Sequence, residues 1–105
     1  MLSVRHDDTH VITLAGELCM ASATDLEEEL KVVERTPVRT IAVDLRELMF
    51  IDSTGIRVLV TAQRRSRQEG DRLVVVRGAE GIRRIFELCG LENRLAFVDE
   101  LPSPR

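Results

Sequence analysis

The chain has 105 residues, 44% of them hydrophobic, and this length suits one domain built around one core. Its 15 Lys and Arg are interleaved with 18 Asp and Glu, for a formal net charge of -3, so no basic face is expected for nucleic acid or an anionic membrane. With no Trp, no Tyr and 3 Phe, the chain also lacks aromatic residues to stack on unpaired bases.

Targeting segments and metal-binding patterns are not evident in the sequence. No apolar run approaches the roughly 20 residues that cross a bilayer, and the N-terminus lacks a signal-peptide apolar segment, so a cytoplasmic protein is expected. Cys19 and Cys89 lie far apart and outside any C-x-x-C pair, which predicts two reduced, partly buried thiols. His6 and His10 are separated by a predicted turn, and we expect no metal or other cofactor.

The N-terminal segment is predicted to form a β-hairpin. Residues 2–5 and 10–15 flank the turn-forming sequence Asp7-Asp8-Thr9, and the second run is rich in β-branched and aliphatic residues. Two strands joined by so short a turn pair antiparallel.

A helix is predicted to follow this hairpin, from about Ala23 to Glu34. Ser22 stands three residues before Asp25, a spacing that resembles a capping box. The apolar residues that then recur at helical spacing are Leu26, Leu30 and Val33.

The rest of the chain alternates predicted strands with predicted helices. The strands are short apolar stretches at residues 40–45, 72–77 and 95–98. One helix is expected from Ser53 to a stop at Gly70, and another is opened by residues 78–81 and ended by Gly90. This alternation predicts an α/β fold whose central strands are parallel, with a frayed tail from about residue 101.

The junction before the Ser53 helix stands out, because an apolar run breaks into four small or polar residues in FIDSTGIRVLV. As an N-cap, Asp52 can accept a hydrogen bond from an unpaired N–H of the first helical turn, stabilising the helix by about 1 kcal/mol. Ser53 and Thr54 then lie in that turn, with solvent-facing hydroxyls at the carboxyl end of the sheet. Gly55 lowers helix propensity by about 1 kcal/mol relative to Ala, which is easier to understand if something approaches its backbone closely.

Several interpretations of this junction compete. The plainest is that D-S-T-G is only a good helix start. The D-[ST]-G motif of aspartic proteases is disfavoured by the extra residue between Asp52 and Gly55, and a nucleophilic Ser53 by the absence of a G-x-S-x-G elbow and of an evident base. The remaining interpretation makes Ser53 a phosphate acceptor, since a helix N-terminus stabilises an added anion by roughly 0.3 to 2 kcal/mol.

Five motifs follow one another along nearly the whole chain. They are G-E-L at 16–18, SATDLEEEL at 22–30, V-D-L at 43–45, MFIDSTGIRVLV at 49–60 and FELCGLENRLAFVDE at 86–100. This arrangement resembles the STAS domain, and in particular the stand-alone anti-sigma factor antagonists. The resemblance implies an α/β fold with a mixed sheet of about five strands, an antiparallel opening hairpin and three to four helices.

The function that the resemblance implies is binding rather than catalysis. Members bind a serine-kinase anti-sigma factor and so free a sigma factor for transcription. The family's phosphorylated serine falls on Ser53; phosphorylation by the partner kinase abolishes binding, and a separate phosphatase restores it. The expected partner surface combines the loop of residues 16–22 with the first turn of the Ser53 helix. Its expected residues are Cys19, Met20, Ser22, Asp52, Ser53, Thr54, Gly55 and Arg57.

One position departs from the family pattern. Many members read G-E-L-D where this chain has Cys19, so an acidic side chain expected close to Ser53 is missing, and we interpret Cys19 as a small filler. Met49 and Phe50 are interpreted as core residues, and Met20 as either core or contact. An alternative function keeps the fold without the switch: a constitutive scaffold subunit of a lipid-transport or stress-signalling assembly.

Overall fold

In the computed structural model, which describes residues 1–102, strands alternate with helices after an opening hairpin. The strands are β1 (Leu2–His6), β2 (Thr9–Leu18), β3 (Thr40–Ile51), β4 (Leu73–Val76) and β5 (Phe97–Val98). The helices are α1 (Met20–Glu34), α2 (Ser53–Gln68) and α3 (Glu80–Leu88). Of the expected frayed tail, Leu101 and Pro102 have no regular structure, and residues 103–105 lie outside the described residues.

All five strands form one mixed sheet in the order β1-β2-β3-β4-β5. β1 and β2 pair antiparallel across a turn in which Asp7 has φ 56°, a left-handed conformation that Asp tolerates. The remaining neighbours pair parallel. The mixed sheet, the antiparallel hairpin and the number of helices expected from the sequence are therefore confirmed.

The core lies between one face of the sheet and the helices. Ile12, Val43 and Val75 are register neighbours across three strands, and all three are completely buried. They belong to one buried cluster with Leu30 of α1, Leu59 of α2 and Phe86 of α3. Right-handed crossovers between strands in sequential order place successive helices on the same face of the sheet, which accounts for this single core.

Strand β3 is longer than the predicted segment 40–45. It pairs with β2 as far as Ile51, whereas β4 ends at Val76, opposite the middle of β3. The second half of β3 therefore has a neighbouring strand on one side only. Met49 and Phe50 lie in this half and are 83% and 48% exposed, so their interpretation as core residues is wrong.

Glycines end the last two helices, as predicted. Gly70 and Gly90 have φ angles of 103° and 69°, which L side chains rarely adopt, and each follows the last turn of its helix. Cys89 is the C-cap residue of α3 and is exposed, so the expectation that it is partly buried is wrong. The chain leaves the core face at this helix end, and the thiol points to solvent with it.

A buried glutamine fixes α2 against the sheet. The Gln63 side chain is completely buried; its Nε2 donates to the Leu73 carbonyl oxygen at 3.1 Å, and its Oε1 accepts from the Ala96 N–H at 3.0 Å. Both ends of the amide are thus satisfied, as a buried polar group requires. This pairing holds α2 to β4 and to the segment before β5, and so sets the direction in which α2 leaves β3.

Candidate functional site

Asp52 begins helix α2, as the sequence predicted. Its backbone is extended, with φ -109°, and its Oδ1 accepts from the N–H groups of Thr54 at 2.9 Å and Gly55 at 3.1 Å. Two of the four amides that a helix N-terminus leaves unpaired are thereby satisfied. Ser53 is the first helical residue, and its side chain is exposed.

The same carboxylate reaches a second helix. Asp52 Oδ2 accepts from the backbone N–H of Met20, the first residue of α1, at 3.1 Å. The Asp52 N–H donates to the Leu18 carbonyl oxygen at 3.1 Å, which holds the end of β2 beside the end of β3. The N-termini of α1 and α2 therefore meet at Asp52, although 32 residues separate the bonded pair in sequence.

Helix α1 begins at Met20, three residues before the start predicted from the sequence at Ala23. The Cys19 carbonyl already accepts from the N–H groups of Ser22 at 3.0 Å and Ala23 at 2.8 Å, so Cys19 is the N-cap residue. Ser22 is the third residue of the helix, and its Oγ accepts from the Cys19 N–H at 3.1 Å. The capping box predicted from Ser22 to Asp25 is wrong; Ser22 instead supplies the return bond of a box that starts at Cys19.

Gly55 allows α2 to lie against the end of β2. A Cβ atom at this position would stand 2.7 Å from Leu18 Cγ and 2.9 Å from the Leu18 carbonyl oxygen, well inside contact distance. The close approach that the glycine indicated is therefore an internal one. Because Gly55 is buried, it contributes to any partner surface by positioning α2 rather than by offering a contact of its own.

The remaining predicted site residues surround this meeting point. Arg57 is exposed one turn after Ser53, Thr54 is half-buried, and Cys19 is half-buried as expected. Met20 is 74% exposed, so of its two interpretations, core residue or surface contact, the structure favours the surface. With Met49 and Phe50, it gives the region around Asp52 three exposed apolar side chains.

Other features of the described chain lie away from this site or concern other chemistry. No helix within residues 1–102 is long and apolar enough to span a membrane. In that same part of the chain, no group of three or more His, Cys, Asp or Glu could hold a metal ion. A cavity of about 260 Å³ opens between α3 and β5, lined in part by Arg77, Phe86 and Phe97.

The sheet order, the three helices on one face and the D-S-T-G junction at the start of α2 together define a STAS fold. The chain belongs to the STAS domain family: the family model described as "Mlab, STAS domain" matches residues 1–99. The family that the motifs indicated is thus confirmed.

Curated relatives narrow the class further. The anti-sigma-B factor antagonist of Listeria monocytogenes is 32% identical over 94 residues, which cover 88% of this chain and 82% of that protein. The protein of the same name from Staphylococcus epidermidis is 29% identical over 98 residues, covering 93% and 90%. A crystal structure of an anti-sigma factor antagonist from Mycobacterium paratuberculosis superposes with a TM-score of 0.82 at 25% identity, covering 95% of this chain and 85% of that one. Such antagonists are regulatory binding proteins.

The bond from Met20 to Asp52 is the part of the site that sequence reasoning missed. The signal that could have indicated it was Cys19, a thiol at the N-cap of α1. With a thiol at the N-cap and no acid in its first turn, α1 has no carboxylate of its own at its N-terminus, and Asp52 supplies one.

Proposed function

We propose that this protein is an anti-sigma factor antagonist that binds a serine-kinase anti-sigma factor in the cytoplasm and is switched off by phosphorylation of Ser53. The observation that carries the proposal is the exposed Ser53 side chain at the first position of α2, beside the Asp52 carboxylate. The names of the curated relatives support the class of partner. A phosphatase that acts on phosphorylated Ser53 completes the cycle.

The modification is a phosphoryl transfer from ATP bound to the partner kinase. Ser53 Oγ forms a bond to the γ-phosphorus, the bond between that phosphorus and the bridging oxygen of ADP breaks, and the hydroxyl proton passes to a base of the kinase. Hydrolysis by the phosphatase returns the hydroxyl and releases inorganic phosphate. This chain supplies only the hydroxyl and its position.

Electrostatics explains why the phosphate ends binding. A phosphoserine adds about -1.5 to -2 charges beside the Asp52 carboxylate. Asp52 accepts from Thr54 and Gly55 in the unmodified chain, so the phosphate and the Asp52 carboxylate compete for the same two donors, which cannot neutralise both anions. Burying the two anions together against a partner is unfavourable, and each 1.4 kcal/mol or so lowers affinity about tenfold.

The test is phosphorylation by the cognate serine-kinase anti-sigma factor with ATP, followed by mapping of the phosphate by mass spectrometry. We expect one phosphate, on Ser53, and none on Ser53→Ala. Thr24→Ala removes an exposed hydroxyl from α1 and is the matched control, which should be phosphorylated like the parent protein. A phosphate on another residue, or equal labelling of Ser53→Ala, contradicts the proposal.

The second candidate is a non-switched STAS scaffold subunit of a lipid-transport or stress-signalling assembly. It requires the same fold and agrees with the family description, "Mlab, STAS domain", which mentions neither a kinase nor a sigma factor. Purification from cells separates the two functions. A stable complex with transporter or scaffold subunits and without a kinase supports the second candidate, whereas recovery of a kinase-fold partner supports the first.

A further inference from the structure

Asp52 bonds two helix N-termini through its two carboxylate oxygens. Oδ1 accepts from Thr54 and Gly55 of α2, while Oδ2 accepts from Met20 of α1. We propose that Asp52 is a positioning residue that holds the two halves of the partner surface together, and that a phosphate on Ser53 breaks this link. The phosphate-dependent step rests on the function proposed above, whereas the link itself is a property of the unmodified chain.

Helix α1 depends on this link because its own sequence provides no carboxylate at its N-terminus. The N-cap residue is Cys19, whose sulfur is only a weak acceptor for the Ser22 N–H, and the first turn contains no acidic residue. The Ser22 hydroxyl is already engaged, since it accepts from the Cys19 N–H and donates to the Glu17 carbonyl oxygen at 3.0 Å. Asp52 therefore supplies the acceptor for the Met20 N–H and the negative charge that favours the positive end of the helix dipole.

A phosphate on Ser53 acts directly on this arrangement. Ser53 is the neighbour of Asp52 and lies at the same helix terminus, where a doubly charged group attracts the amides that Asp52 now binds. Like charges on adjacent residues also repel each other. Both effects pull the Asp52 carboxylate out of its present position. The phosphate can then accept from the α2 amides in place of Asp52, but no other group of α2 can accept from the Met20 N–H.

Loss of the bond changes the partner surface beyond Ser53. Met20 follows directly on Cys19, and its side chain is 74% exposed beside the first turn of α2. When the α1 terminus frays, this apolar side chain loses its fixed position relative to Ser53. A partner must then order the start of α1 again on binding, and this cost lowers the binding affinity in addition to the direct repulsion by the phosphate.

Asp52→Asn tests the link selectively. Asparagine is as good an N-cap as aspartate, so its Oδ1 can still accept from Thr54 and Gly55, but its Nδ2 turns a donor toward the Met20 N–H. Amide exchange measured by NMR, with no partner present, should be roughly fivefold faster at Met20 and Ala23 in this variant, as expected for loss of one hydrogen bond. The Thr54 and Gly55 amides should change much less.

A second pair of variants tests the effect of charge at Ser53. Ser53→Asp should speed exchange at Met20 and Ala23, whereas Gln68→Glu adds the same charge at the exposed far end of α2 and should not. Adding Cys19→Asp to Asp52→Asn gives α1 its own carboxylate cap and should restore slow exchange at Ala23, a rescue that a loss of global stability would not show.

If the exchange rates of the Met20 and Ala23 amides are the same in Asp52→Asn as in the parent protein, the proposed link is wrong. If these rates are equal in Ser53→Asp and Gln68→Glu, the proposal that charge at Ser53 controls the link is wrong. Failure of the proposed function is a separate result. It would appear as absence of phosphate on Ser53 in the kinase experiment, and it would leave the amide measurements on Asp52→Asn unaffected.

Discussion

Asp44 is the most deeply buried carboxylate of the described chain and shows how a charge is accommodated in this sheet. The residue is 3% exposed, and its carboxylate accepts from the Arg46 backbone N–H at 3.0 Å and from the Arg46 guanidinium at 2.9 and 3.0 Å. Burial acts to raise the pKa of Asp44, but the hydrogen bonds and positive charge of Arg46 outweigh it and hold that pKa below its ordinary value.

This pairing predicts a pH-dependent contribution to stability. Because the pKa of Asp44 is lower in the folded chain, the contribution is present above the unfolded-state value near pH 4 and is lost as pH falls below about 4. Asp44→Asn should lower the free energy of unfolding by about 2 kcal/mol at pH 7 and by less at pH 3, measured by urea denaturation. Asp25→Asn, at an exposed position of α1, is the control; an equal loss at both pH values contradicts the linkage.

At the scale of secondary-structure elements, the approach of α2 to β2 determines where Ser53 lies. Gly55 packs on Leu18, and the bond from Asp52 to the Leu18 carbonyl oxygen fixes the same pair of elements. Arg65, near the other end of α2, forms ion pairs of 2.9 Å with Glu27 and with Glu34 of α1. The two helices are thus joined at both ends, by a carboxylate at their N-termini and by a guanidinium toward their C-termini.

Gly55→Ala should destabilise the protein although alanine is the better helix former. The added methyl group meets Leu18 atoms at 2.7 and 2.9 Å, and relieving that overlap costs about 1 to 3 kcal/mol, which exceeds the propensity gain of about 1 kcal/mol. Thermal unfolding followed by circular dichroism gives the difference. Gly81→Ala is the matched control in α3, where the new Cβ has nothing within 4 Å, and it should leave stability unchanged or raise it.

For the whole molecule, the proposed switch requires no refolding, because Ser53 lies outside the core. Ser53→Asp should bind the cognate kinase at least tenfold more weakly than Ser53→Ala, a difference of about 1.4 kcal/mol or more, as measured by calorimetry. Their melting temperatures should be close to each other. Equal affinities of the two variants would remove the electrostatic explanation of the switch.

The sequence predicted the order and type of the elements, because hydrophobic patterns and helix-stop residues depend only on neighbouring residues. Apolar runs indicated the strands, and Gly70 and Gly90 indicated helix ends. It did not predict the extension of β3 to Ile51, which depends on pairing with β2, a strand distant in the chain. For the same reason the bond between Met20 and Asp52 was not foreseen, whereas the N-cap bonds of Asp52 span only two and three residues and were. Features that depend on neighbouring residues could be predicted from the sequence, whereas contacts between distant parts of the chain could not.

Strand β3 overshoots the end of β4, since its last pairing with that strand is at Asp44 while it continues to Ile51. At about 3.3 Å per residue, this overhang carries the end of β3, just before Ser53, roughly 20 Å past its last pairing with β4. In the proposed switch, a kinase and later a phosphatase reach the exposed Ser53 side chain on this side without separating any strands. Because no local unfolding is needed to expose that hydroxyl, the rate of the proposed phosphorylation should not depend on how stable the domain is.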